Sequence, residues 1–191
     1  TPIPRTLHMA LTGIRDMSAI ETPPEERLPI TTYVMETNDQ IVREAILRER
    51  FRGGQTFYVC PRVADLFKLE EHLKALVPEV KLTVAHGRMA AKSLEVTISQ
   101  FYNRTFDVLL STNIIEAGLD LPTVNTIVIH RADMFGLSQL YQIRGRIGRS
   151  KTRAYAYLTL PLGRILAPAA QKRLEVLHNL DTLGAGFTLA S

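Results

Sequence analysis

Short apolar runs of strand character alternate with helical spacing along almost the whole chain, and this alternation constrains the fold more than any other feature. Residues 30–35, 55–60, 80–85, 107–111, 125–130 and 154–160 are rich in β-branched, aromatic and aliphatic side chains, as buried strands are. Between them, Leu66, Leu69, Leu73 and Leu76 recur at three- and four-residue steps, and so do Leu94, Ile98 and Phe101. A further helix is predicted over 39–52, with Asp39 as its cap and Gly53-Gly54 as its stop. Strands separated by helices must run parallel in a sheet covered on both faces, which predicts an α/β fold. Ligands of such sheets gather at the carboxyl ends of the strands, so the loops after 60, 85, 111 and 130 are the ones to inspect.

Composition narrows the class. With 191 residues, 46% of them hydrophobic and 22% charged, the chain can bury one compact core. No apolar run is long enough to cross a bilayer. The opening Thr1-Pro2-Ile3-Pro4 reads as mid-protein sequence, so the chain is expected to be a piece of a longer one. Glu21 to Pro29 holds three prolines and reads as an extended connector. Cys60 is the single cysteine, which excludes an internal disulfide and a cysteine metal cluster; in its apolar run it reads as a buried strand thiol. One thiol suits a reducing cytoplasm. The net charge of +4 is mild, but Arg144 to Arg153 concentrates five cations and no anion. Such a block faces an anion or is solvated.

That block contains Gln142-Ile-Arg-Gly-Arg-Ile-Gly-Arg149, in which two Gly-Arg pairs repeat at a three-residue step. On a helix this step would set Arg146 and Arg149 on one face, one turn apart. Planar guanidinium groups bind phosphate oxygens in bidentate fashion. Two of them presented together suit the charge that develops on a transferring phosphoryl group. The glycines would keep the surface low for a neighbouring body.

In this form the segment resembles the sixth motif of superfamily 2 helicases, and Leu109 to Pro122 resembles their fifth. The resemblance implies a RecA-like parallel sheet flanked by helices, the second lobe of a two-lobe motor, with a C-terminal helical appendage. Arg146 and Arg149 would then act as arginine fingers, and Gly118, Asp120 and Gln142 would face the nucleotide; Asp120, close before Pro122, also suits a turn. Ser111, Thr112 and Asn113 would touch the nucleic-acid backbone, which needs no base readout. His86-Gly87-Arg88 is similar to a backbone-gripping loop of the same family, giving Gly87 and Arg88. Arg62 is similar to a fourth-motif position, although a solvated arginine fits it equally. Thr1 to Thr6 resembles the end of a third motif.

Residues 13–29, 125–142 and 171–187 narrow the resemblance to the bacterial transcription-repair coupling factors. The implied divisions are a third-motif remnant and connector over 1–29, the lobe over 30–160, and the start of a translocation motif over 161–191. Asn113 stands where threonine would be expected. The implied cofactor is ATP with Mg²⁺. The chain has no Gly-Lys and no Asp-Glu dipeptide, so the phosphate loop and metal ligands are expected on a preceding lobe, and this piece alone is expected to be inactive. Implied partners are double-stranded DNA, that first lobe, and RNA polymerase and the UvrA repair protein through other regions, with no membrane. Two other readings stay open: a lobe of a RecG-type branched-DNA helicase, and a non-catalytic nucleic-acid-binding module on the same fold.

Overall fold

The computed structural model describes residues 30–112, 121–148 and 152–179. Six strands form one parallel sheet: β1 (Thr31–Glu36), β2 (Gln55–Val59), β3 (Leu82–Ala85), β4 (Val108–Ser111), β5 (Val124–Ile129) and β6 (Tyr155–Leu160). Their order across the sheet is β1-β6-β5-β2-β4-β3, and every neighbouring pair is parallel. Among the described residues five helices accompany them: α1 (Asp39–Phe51), α2 (Leu66–Leu76), α3 (Ala91–Tyr102), α4 (Leu137–Arg144) and α5 (Pro168–Asn179). This is the RecA-like α/β arrangement expected from the alternation.

The strand period divides the core into two layers. Phe57 and Val59 point to one face with Leu109, Ile127, Ile129 and Leu158, where α3, α4 and α5 bring Phe101, Leu140, Ile143, Leu174 and Leu177. Tyr58, Leu110 and Val128 point to the other, against Val42, Ile46, Leu69 and Leu73 of α1 and α2. Each fully buried aliphatic side chain contributes about 1.5–3 kcal/mol relative to exposure, so both layers are needed to offset chain entropy. Helix α5, expected as an appendage, instead sets Leu174 and Leu177 into the same core layer as the sheet.

Several boundaries moved for local reasons. Helix α1 is capped by Asn38, whose side chain accepts from the Ile41 N–H; Asp39 is the first helical residue and adds favourable charge at the helix start. Gly53 follows Arg52 at φ +77°, a left-handed helix exit that suits glycine. Strand β3 starts at Leu82 rather than 80, because the Val80 N–H turns back to the Val77 carbonyl and the Lys81 N–H bonds the Asp107 carboxylate.

Candidate nucleic-acid and nucleotide surfaces

Register brings three of the candidate loops together. Strand β4 lies between β2 and β3, and Val59 and Ala85 are both level with Ser111. The chain therefore emerges at Cys60, Thr112 and His86 side by side on the carboxyl edge, and the Cys60 N–H donates to the Ser111 carbonyl at 2.9 Å. Arg62 stands three residues beyond β2, exposed, with its guanidinium held by Asp65 at 2.8 Å. Gly87 and Arg88 are exposed two and three residues beyond β3, and Arg88 has no hydrogen bond or ion pair to another described residue. Open space surrounds the position of a Gly87 Cβ, and the residue's φ is ordinary. Neither packing nor backbone conformation calls for glycine there, which leaves room for an approaching ligand. The His86 Nδ1 beside it is buried without a hydrogen-bond partner.

Ser111 and Thr112 sit lower. Ser111 is 1% exposed and its hydroxyl donates to the Thr112 carbonyl, so its side chain braces the strand end rather than reaching outward. Thr112 is 8% exposed. Asn113, Gly118 and Asp120 lie outside the described residues.

The arginine-rich segment occupies the opposite edge. Helix α4 runs back along the sheet and ends at Arg144, near the start of β1. Its arginine step is therefore not helical as expected: Gly145 closes the helix, and Gly148 has φ +74°. Two interactions explain the break. Arg144, at the helix end, is 8% exposed and donates to Thr32 Oγ1 at 2.9 Å and the Ile30 carbonyl at 3.3 Å, which ties the end of α4 to the entry of β1. Gly148 is buried, and a Cβ there would meet Ile30 Cγ1 at 3.0 Å. Gly148 thus serves close packing inside the lobe, not the approach of a neighbour. Arg146 is half-buried, with no hydrogen bond from its guanidinium to another described residue, and Gln142 is exposed on α4. Arg149 lies outside the described residues.

Two features escaped the sequence. Glu49 is fully buried in α1, bonded to Arg52 and to the Thr126 hydroxyl of β5, and it fills the space where a Gly54 Cβ would stand. A lone glutamate in an amphipathic helix carries no sign of this. The second is a cleft of about 520 Å³ between the carboxyl ends of β2 and β5, lined by Arg62, Asp65, Lys68, Leu69, His72, His130 and Arg131. These residues come from three separate segments that only the strand order brings together.

Comparison with known proteins fits this geometry. Residues 37–151 match the helicase conserved C-terminal domain. The chain belongs to that family. This helicase C-terminal domain is 52% identical over all 191 residues to the transcription-repair-coupling factor of Rickettsia bellii (strain RML369-C), 55% to that of Myxococcus xanthus and 51% to that of Escherichia coli (strain K12). It spans all of this chain but only 16–17% of the length of those relatives. Among solved structures, RecG bound to a three-way DNA junction superposes with a TM-score of 0.72 at 34% identity, over 98% of this chain and 25% of that one. The C-terminal domain of the DEAD-box protein Dbp5 shares the fold at a TM-score of 0.57 and 17% identity, covering 80% of this chain and 85% of that one. The helicase C-terminal domain is thus a lobe of a helicase or translocase motor. Among its described residues, no cluster of three or more His, Cys, Asp or Glu side chains is placed to hold a metal ion, and no helix is long and apolar enough to cross a membrane.

Proposed function

We propose that this lobe is the second half of an ATP-driven double-stranded DNA translocase, in a protein that releases stalled RNA polymerase and couples transcription to nucleotide excision repair. The observation that carries the reading is the separation of two surfaces on opposite edges of one sheet. Arg62, Gly87-Arg88 and the Thr112 strand end share the carboxyl edge, and Arg146 stands at the amino edge without a partner for its guanidinium. On the carboxyl edge the residues offer cations and open backbone, which suit phosphates of any base sequence. Ser111 and Asn113 complete that loop, Ser111 by bracing it.

On the amino edge, Arg146 and Arg149 would reach the nucleotide bound by the preceding lobe, with Gly118, Asp120 and Gln142 around it. ATP with Mg²⁺, the metal ligands being on that other lobe, supplies the phosphoanhydride whose cleavage drives the cycle. The arginines of this lobe hold charge in place and change position with cleft closure. RNA polymerase and the UvrA repair protein are partners of other regions of the full-length protein.

The test uses that full-length protein. Arg146→Ala and Arg149→Ala should each lower ATP turnover by on the order of 10³ or more while leaving nucleotide-free DNA binding unchanged. Lysine should not restore either, because it lacks the planar fork. Near-normal turnover in both alanine variants would remove the finger assignment. The 34% identity to RecG supports a second reading, remodelling of branched DNA. ATP-dependent release of stalled elongation complexes, lost in Arg146→Ala, supports the first; fork remodelling with no effect on polymerase supports the second.

A further inference from the structure

The cleft between β2 and β5 sits where the chain reverses its direction across the sheet. After β2 the chain leaves toward the face of α2, whereas after β5 it leaves toward the face of α4. Parallel sheets open a crevice at such a point, and ligands bind there. The two strand ends are stitched together by the His130 N–H, which donates to the Val59 carbonyl at 2.8 Å.

The lining is cationic and prepared. Five of the seven lining residues, Arg62, Lys68, His72, His130 and Arg131, can carry or donate a proton to an anion. The carboxylates nearby are already engaged: Asp65 by Arg62, Asp133 by Arg131, and Asp39 by His72. Lys68 alone among the cations has no ion pair or hydrogen bond to a described residue. Arg131 holds a left-handed backbone at φ +53°, a conformation that costs a non-glycine residue about 1–2 kcal/mol and that recurs at ligand sites. The buried Tyr58 hydroxyl lies 3.4 Å from His130 Nδ1. Burial raises the Tyr58 pKa, so the hydroxyl keeps its proton and donates it to Nδ1. The neutral imidazole then carries its own proton on Nε2, a donor free for a ligand.

We propose that this cleft is a phosphate-binding subsite that holds one further backbone phosphate of the same nucleic-acid strand gripped at Arg62, Arg88 and Thr112. The inference rests on the nucleic-acid reading of the carboxyl edge. Geometry supports the continuity. From β3 across β4 and β2 to β5 is three interstrand steps, about 14 Å at ~4.8 Å each. A strand lying across that edge advances roughly 3.4 Å per nucleotide, so the edge accommodates about four nucleotides. Arg62 belongs to both surfaces and joins them.

Binding of the 191-residue chain to a short fluorescent duplex, followed by anisotropy at several salt concentrations, tests this. Lys68→Ala changes an exposed side chain of α2 and leaves the core intact. Loss of one phosphate contact should weaken binding several-fold and reduce the salt slope by about 0.9. Arg88→Ala serves as the reference for the edge itself. If Arg88→Ala lowers the slope and Lys68→Ala does not, the subsite is overturned and the edge reading stands; if neither does, both fall. Inorganic phosphate supplies the other source of the same chemistry. Shifts of the His130 ring protons that saturate with inorganic phosphate in a Lys68-dependent manner, with no Lys68 dependence of duplex binding, would overturn the backbone assignment in favour of a free-phosphate site. A Lys68-dependent duplex slope together with Lys68-dependent His130 shifts on adding duplex is the result expected.

Discussion

Gly148→Ala isolates the packing that fixes the arginine-rich turn against the sheet. Two terms add. The residue has φ +74°, and a left-handed backbone costs an L-residue about 1–2 kcal/mol. The new Cβ would also lie 3.0 Å from Ile30 Cγ1, 3.3 Å from Ile30 Cδ1 and 3.4 Å from Ala154 Cβ. Both neighbours are held by strand pairing, since Thr31 donates to the Ala154 carbonyl at 3.0 Å, so relief requires a shift of β1 against β6. Forced overpacking of this kind costs about 1–3 kcal/mol. The total is about 2–5 kcal/mol, and for a domain of this size each kcal/mol moves Tm by roughly 2–4 °C. Gly163→Ala provides the calibration: its φ is +65°, but nothing stands within 4 Å of the new Cβ, so it carries the backbone term alone. Thermal or urea unfolding should therefore place Gly148→Ala below Gly163→Ala by about 1–3 kcal/mol. Ile30→Ala removes both clashing carbons and should return that difference in a double-mutant cycle. Equal losses at the two glycines, with no coupling to Ile30, would refute the account.

Arg144→Met strips donors from Thr32 and the Ile30 carbonyl and should cost about 1–3 kcal/mol in urea unfolding, with Arg144→Lys recovering little of it. Cys60 should resist iodoacetamide at neutral pH in the folded chain and react on unfolding, because burial pushes its thiol up to about 11 and the thiol donates to the Arg62 carbonyl. His130 is held below its ordinary value, first by burial and then by Arg131, so the unfolded chain takes up more protons than the folded one between the depressed value and about 6.5. Its contribution is complete above that range and is lost as pH falls through the folded value, so the urea midpoint should drop between about pH 7.5 and pH 5, and His130→Gln should flatten the drop. Gly87→Ala should unfold like the parent chain yet bind duplex DNA more weakly, since its Cβ meets only open space.

Sequence patterning carried most of the architecture, because each strand and helix repeats its burial code several times. Leu66, Leu69 and Leu73 report one buried face three times over. Single-residue decisions were less legible. Asn38 and Asp39 are both acceptable caps, and only the backbone decides between them. Glycine spacing in Gly145 to Gly148 suggested a low helical surface, whereas the burial of Arg144 under β1 ends the helix first. Arg144 itself looked like one more charge in a basic block. The cleft at His130 depends on β5 lying beside β2, a pairing of segments some seventy residues apart in the chain, which local periodicity cannot express. Gly87 and Arg62 were visible because a strand end followed by glycine or arginine is a local pattern.

The parallel sheet also behaves as a mechanical strut. Strands of six residues such as β5 and β6 span about 20 Å, and the sheet joins the two chemically distinct edges of the lobe. Covalent strands laced side by side resist stretching and shear, so displacement imposed at one edge arrives at the other undiminished. A rotation of roughly 10° about the amino edge sweeps the carboxyl edge through about 3.5 Å, close to the ~3.4 Å rise of a single nucleotide. Strand length thereby sets the gearing between a small closure at the turn beyond Arg144 and the stroke delivered at Arg62 and Arg88.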